Sequence, residues 1–101
     1  MESVRKKEIT IDDIIKKVAA NFGLKLSDLK SQKKNKDLIL PRQIAMYLSR
    51  RLTDKSFPDI GNKIGGRDHS TVIYGNNKIK KLMKTDIKLK KMIDDIEESL
   101  N

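Results

Sequence analysis

The chain has no cysteine, so neither a disulfide framework nor a thiolate metal site can be built from it. It has no run of about 18 apolar residues, which excludes a membrane-spanning helix. The phosphate-cradling pattern G-x-x-x-x-G-K-[ST] is missing as well. None of the five glycines opens such a run, and ATP hydrolysis by this chain alone is not expected. Residues 1–8, with Arg5, Lys6, Lys7 and Glu8, lack the apolar stretch of a signal peptide. Histidine occurs once, at His69, and a metal site would need other ligands at fixed spacing. No cofactor or metal is expected. Asp68-His69-Ser70 matches a hydrolytic triad in composition only, because neighbours at a helix start cannot align hydroxyl, imidazole and carboxylate. The chain does not read as an enzyme.

What the sequence does have is positive charge. Lysine and arginine number 23 against 14 acidic residues, a net charge of +9. On a small domain such an excess points to a polyanionic partner, with nucleic acid ahead of acidic phospholipids. At 101 residues the chain closes one core. Hydrophobic residues make up 37% and aromatics only 4%, and the Ile and Leu recur at helical spacing. An all-α domain follows, with a cytoplasmic location expected.

Residues 1–9 are charged and aperiodic and read as a linker. Thr10 reads as an N-cap with Asp13 completing a capping box; Ile11, Ile14, Ile15, Val18 and Phe22 form a stripe, and Gly23 a stop. Ser27 is expected to cap a short second helix through Leu29. A basic loop follows to Asp37, carrying Lys33, Lys34 and Lys36. Pro41 is expected at the first position of a third helix. There Ile44, Ala45, Leu48 and Leu52 face inward, and Arg42, Gln43, Arg50 and Arg51 outward. A fourth helix starts at Pro58, with Ile60 and Ile64 buried. Gly61 inside it costs about 1 kcal/mol relative to Ala, which close packing would justify. A fifth helix runs from His69 to about Lys84, and Thr85 or Asp86 caps a sixth with Leu89, Met92, Ile93, Ile96 and Leu100 as core.

The run Gly65-Gly66-Arg67-Asp68-His69-Ser70-Thr71-Val72-Ile73 is the most informative. Two glycines permit a backbone reversal with positive φ, and Asp68 is a good N-cap. With the short helix before it, the unit is a helix-turn-helix. Asp68, His69, Ser70 and Thr71 stand where such proteins read base edges in a major groove. Arg42, Gln43 and Arg50 suit phosphates or a groove edge, and the Lys33, Lys34 and Lys36 arm suits phosphates or a minor groove. Tyr47 and Tyr74 read as buried, and Asn76 and Asn77 as ordinary polar surface.

GGRDHSTVI, preceded by Pro41-Arg42-Gln43-Ile44-Ala45-Met46-Tyr47-Leu48 and by Phe57-Pro58-Asp59-Ile60-Gly61, closely resembles the C-terminal DNA-binding domain (domain IV) of the bacterial chromosomal replication initiator family, DnaA. The resemblance runs from about Ile9 to Leu100. It implies a six-helix, Trp-repressor-like domain that binds the double-stranded box TTATNCACA at the origin; with no sustained heptad pattern, the chain is expected to be a monomer in isolation. By position it implies Asp68, His69, Ser70 and Thr71 in the major groove and Lys34 in the minor groove. It leaves Arg42, Gln43, Arg50, Lys33, Lys36 and Arg67 on the backbone or groove edge. It further implies an upstream ATPase domain, absent here, with residues 1–9 as the remnant of the join.

Three departures stand out. The loop carries lysines where the family often has Arg, which suits a narrow minor groove better. Lys34→Arg is therefore expected to tighten specific binding in a titration of the labelled box. Ser70 replaces a common Thr. Tyr74-Gly75 replace a usual His-Ala pair, and a mid-helix Gly75 is expected to loosen the fold by about 1 kcal/mol. Two other readings remain: a helix-turn-helix transcription regulator with another operator, and a basic membrane- or protein-docking module using the 85–100 helix.

Overall fold

The computed structural model describes residues 8–101, and within them the chain is all α-helical, with six α-helices and one 3-10 turn. Helix α1 spans Ile11–Asn21. Its capping box forms as the residues demand: the Asp13 N–H donates to the Thr10 hydroxyl and the Thr10 N–H to the Asp13 carboxylate, both at 3.0 Å. Gly23, at φ +67°, ends the helix. The linker expected over residues 1–9 lies outside the described residues as far as Lys7. At its other end Ile9 packs against the core.

Helix α2, Leu26–Lys30, starts differently from expectation. Lys25 is the N-cap residue and Ser27 lies inside the first turn. The Asp28 carboxylate supplies the cap, accepting from the Lys25 N–H at 2.9 Å. Burial of Leu29 sets this register. Residues 31–35 are irregular, and Lys36–Leu38 form the 3-10 turn. That turn feeds α3, Ile39–Leu52, which thus begins two residues ahead of Pro41. Pro41 is tolerated there because first-turn N–H groups have no intrahelical acceptor.

Helix α4 spans Phe57–Lys63 with Ser56, not Pro58, at its start; the Asp59 N–H donates to the Ser56 hydroxyl at 3.2 Å. Helix α5 spans His69–Leu82 and α6 spans Ile87–Leu100, the latter capped by Asp86, whose carboxylate accepts from the Leu89 N–H at 3.0 Å.

Helix α3 is the centre of the fold, packed on α1, α4 and α5, while α6 closes over α1. Ile14, Ile15, Val18, Leu29, Ile44, Leu48, Ile60, Ile64, Val72, Ile79, Ile93 and Ile96 are the large side chains sealed inside. Each such burial contributes about 1.5–3 kcal/mol, which is why a chain so rich in charge still closes. The α6 stripe is spent in this core: Leu89, Ile93 and Ile96 are buried, and Met92 and Leu100 pack beside them. Among the described residues no helix is long and apolar enough to cross a membrane.

Two residues expected to be neutral or costly have packing roles. Gly75 is buried where α5 meets α3; a Cβ there would stand 2.8 Å from the Met46 sulfur and 3.2 Å from Gln43 Cγ. The bare backbone lets the two helices approach, which offsets the propensity cost that was expected to loosen the fold. Asn76, expected on the surface, is buried as well.

Candidate nucleic-acid interface

The turn between α4 and α5 is built on glycine for reasons of space as well as φ. The Arg67 N–H donates to the Gly61 carbonyl at 2.8 Å. A Cβ on Gly61 would overlap the Arg67 carbonyl oxygen and press on Val72 of α5. The close packing expected of Gly61 is thus against the turn first and α5 second. Gly65 and Gly66 take φ of +74° and +68°, a conformation that resists other side chains. A Cβ on Gly65 would also overlap the Ser31 carbonyl oxygen. The turn therefore lies directly on the basic loop.

That turn launches α5 with its polar front outward. Asp68, His69, Ser70 and Thr71 are all exposed. The Thr71 N–H donates to the Asp68 carboxylate at 2.9 Å. This bond, then the Thr71 hydroxyl and more weakly the charge of His69, hold the Asp68 pKa below its ordinary value. The cap is therefore ionised at neutral pH and is lost only as pH falls through that lowered value.

Arg42 departs from its expected place. It is only 4% exposed, and its guanidinium is turned inward onto main-chain carbonyls. Nε donates to Leu29 O at 3.1 Å, Nη1 to Lys33 O, and Nη2 to Asp28 O at 3.1 Å and to Ser31 O at 2.8 Å, with Ser31 Oγ at 3.2 Å. Helix α2 ends with carbonyls that have no intrahelical donor, and the planar fork of Arg satisfies several at once. Burial first, and the nearby Arg67 charge second, lower the Arg42 pKa. The outward orientation expected for Arg42 does not hold, since its guanidinium is engaged with the main chain.

Arg67 is half-exposed and donates to Gly65 O at 2.9 Å and to Lys33 O at 3.3 Å. Lys33, Lys34 and Lys36 are exposed, and Gln43 is half-buried on α3. Arg50 is exposed, seven residues further along α3, with Nη1 on Lys55 O at 2.9 Å and the guanidinium 5.0 Å over the Phe57 ring. Arg51, also exposed, pairs with Glu97 on α6 at 2.9 Å.

A cleft of about 550 Å³ gathers Lys34, Arg42, Gln43, Arg67, Asp68 and Thr71 from the loop, α3, the turn and α5. His69 and Ser70 follow Asp68 outside it. Arg50, Lys33 and Lys36 do not line it. Four lining residues were not anticipated: Gln32, Ile39, Met46 and Tyr74. Tyr74, expected to be buried, is 59% exposed. It falls on the same face of α5 as Thr71, three residues earlier, and that spacing is the signal that could have found it. Tyr47 is half-buried. Among the described residues no group of three or more His, Asp or Glu could hold a metal ion.

The family model described as the bacterial dnaA protein helix-turn-helix matches residues 11–79, a stretch that takes in every group in the cleft. The chromosomal replication initiator protein DnaA of Lactiplantibacillus plantarum is 52% identical over 89 residues, covering 88% of this chain and 20% of that protein. The chain thus spans about a fifth of the length of this curated relative. With its all-helical architecture, glycine turn and outward-facing α5 start, the chain belongs to the DnaA helix-turn-helix family of DNA-binding domains.

Proposed function

We propose that this domain recognises the asymmetric double-stranded box TTATNCACA of replication origins, one domain per box. The front of α5 enters the major groove, with His69, Ser70 and Thr71 at base edges and Asp68 accepting from a cytosine amino group. Lys34 enters the neighbouring minor groove. Gln43 and Arg67 hold the groove edge, while Lys33, Lys36 and Arg50 lie near phosphates and steer association. What carries the reading is that Lys34 and the α5 start, far apart in sequence, line one cleft in which Asp68 is the sole carboxylate. A polyanion fits such a surface, and two contact points on different elements fit two adjacent grooves.

The domain acts inside a longer initiator whose upstream ATPase domain controls its assembly, at the nucleoid. Acidic phospholipids are a weaker partner, since the apolar stripe of α6 is buried and leaves Ile87 exposed on that helix. A binding selection from randomised duplexes tests the assignment: recovery of TTATNCACA is expected. Enrichment of an unrelated operator sequence would make the domain a regulator of another kind, and no enrichment would leave a charge-driven binder.

A further inference from the structure

The basic loop and the helix-turn-helix meet at one atom. The Lys33 carbonyl accepts from Arg42 on one side and from Arg67, at 3.3 Å, on the other. Residues 31–35 have no helix of their own, so these bonds hold their path, together with the Lys33 N–H on the Ser31 hydroxyl at 3.3 Å. Arg42 also holds the carbonyls of Asp28, Leu29 and Ser31. It is both a cap for α2, supplied from α3, and the anchor of the loop. From the opposite side, the Gly65 backbone approaches the Ser31 carbonyl too closely for any Cβ. A guanidinium has five N–H donors. With Arg42 spread over this many acceptors and nearly sealed from solvent, little is left for a phosphate.

We propose that Arg42, helped by Arg67, is a positioning residue that fixes Lys34 relative to the front of α5, so that the two groups meet DNA as one rigid unit. The ordering of the loop is then settled on folding and not on binding, which preserves affinity that would otherwise be lost to loop entropy. The inference rests on Lys34 entering a groove. It differs from a phosphate role for Arg42 in what lysine can replace. An ammonium restores a charge opposite a phosphate but cannot reproduce a planar fork across several carbonyls.

The test is a double-mutant cycle on Arg42→Lys and Lys34→Ala, read as affinity for the labelled box over a salt series, with circular dichroism to confirm folding. In the wild-type background Lys34→Ala is expected to weaken the box by about tenfold. In the Arg42→Lys background it is expected to weaken it far less, because the arm is no longer placed. Arg42→Lys itself weakens the box, because the loop that carries Lys34 is no longer held. Additive losses, or wild-type affinity in Arg42→Lys, would overturn the proposal. Should Arg42→Lys not fold, Arg67→Lys takes its place in the cycle, with the same coupling to Lys34 expected and additivity again contradicting it. If Lys34→Ala has no effect in the wild type, the groove assignment of Lys34 fails first and the inference falls with it.

Discussion

Two regions of this domain are basic, and they are built in opposite ways. Around the α4–α5 turn, Arg42 and Arg67 are tied to main-chain carbonyls and the helix start is capped by Asp68. Along the far half of α5 and the start of α6, Lys78, Lys80, Lys81, Lys84, Lys88, Lys90 and Lys91 are exposed. Their ties there are loose: Lys90 with Asp94 at 2.7 Å and Lys91 with Asp95 at 3.7 Å, one turn apart and open to water, and Lys78 over the Tyr74 ring at 5.7 Å. Exposed pairs of that kind contribute little, because water and salt screen them. Charge of the same sign therefore does two jobs. Where it is fixed it sets geometry, and where it is free it attracts any polyanion.

The comparison breaks most severely at Gly61. Gly61→Ala would drive a Cβ into the Arg67 carbonyl, a backbone atom that cannot step aside cheaply. A loss of about 3 kcal/mol is expected in urea unfolding, with box recognition failing alongside. Alanine at His69 or Thr71 leaves the fold standing. Each is expected to cost the box about 10- to 100-fold in an anisotropy titration while a shuffled duplex is unaffected. Ser49→Ala serves as a control buried within α3 and outside the cleft. The Ser49 hydroxyl is buried with no hydrogen-bond partner among the described residues, so its removal should stabilise by about 1 kcal/mol in thermal melts. The ratio of box to shuffled affinity should not move. Replacing Lys78, Lys81 and Lys84 together with Gln is the mildest change. Box and shuffled duplex should weaken alike, by about threefold at 0.1 M salt, with the difference fading as salt rises.

What the sequence made legible was local. Thr10 with Asp13, the Gly65-Gly66 turn and the Asp68 cap each depend on residues three or four apart, and each forms as expected. The helical stripes were legible for the same reason. What escaped depends on elements distant in sequence. Arg42 resembles other surface arginines until α2 delivers its final carbonyls beside it. Gly75 reads as a weak point until α3 is laid across it, and Asn76 beside it is buried as well. The α2 start was misplaced because Ser27 is the better cap by type, yet burial of Leu29 chose a register in which Asp28 caps the Lys25 amide. Within the cleft, Asp68 and Thr71 were identifiable from their motif and Lys34 from the family resemblance, whereas Gln32, Ile39, Met46 and Tyr74 join it only through the packing of loop, α3 and α5.

The central claim is that fixed groups around the turn specify a sequence while free lysines only attract. Anisotropy with a duplex carrying TTATCCACA against a shuffled duplex, over a salt series, addresses it most directly. The account predicts preference for the box by about 1,000-fold or more at physiological salt, persisting as non-specific binding is screened away. Equal affinities that fall together with one steep salt slope would contradict it, and would reduce this surface to its charge.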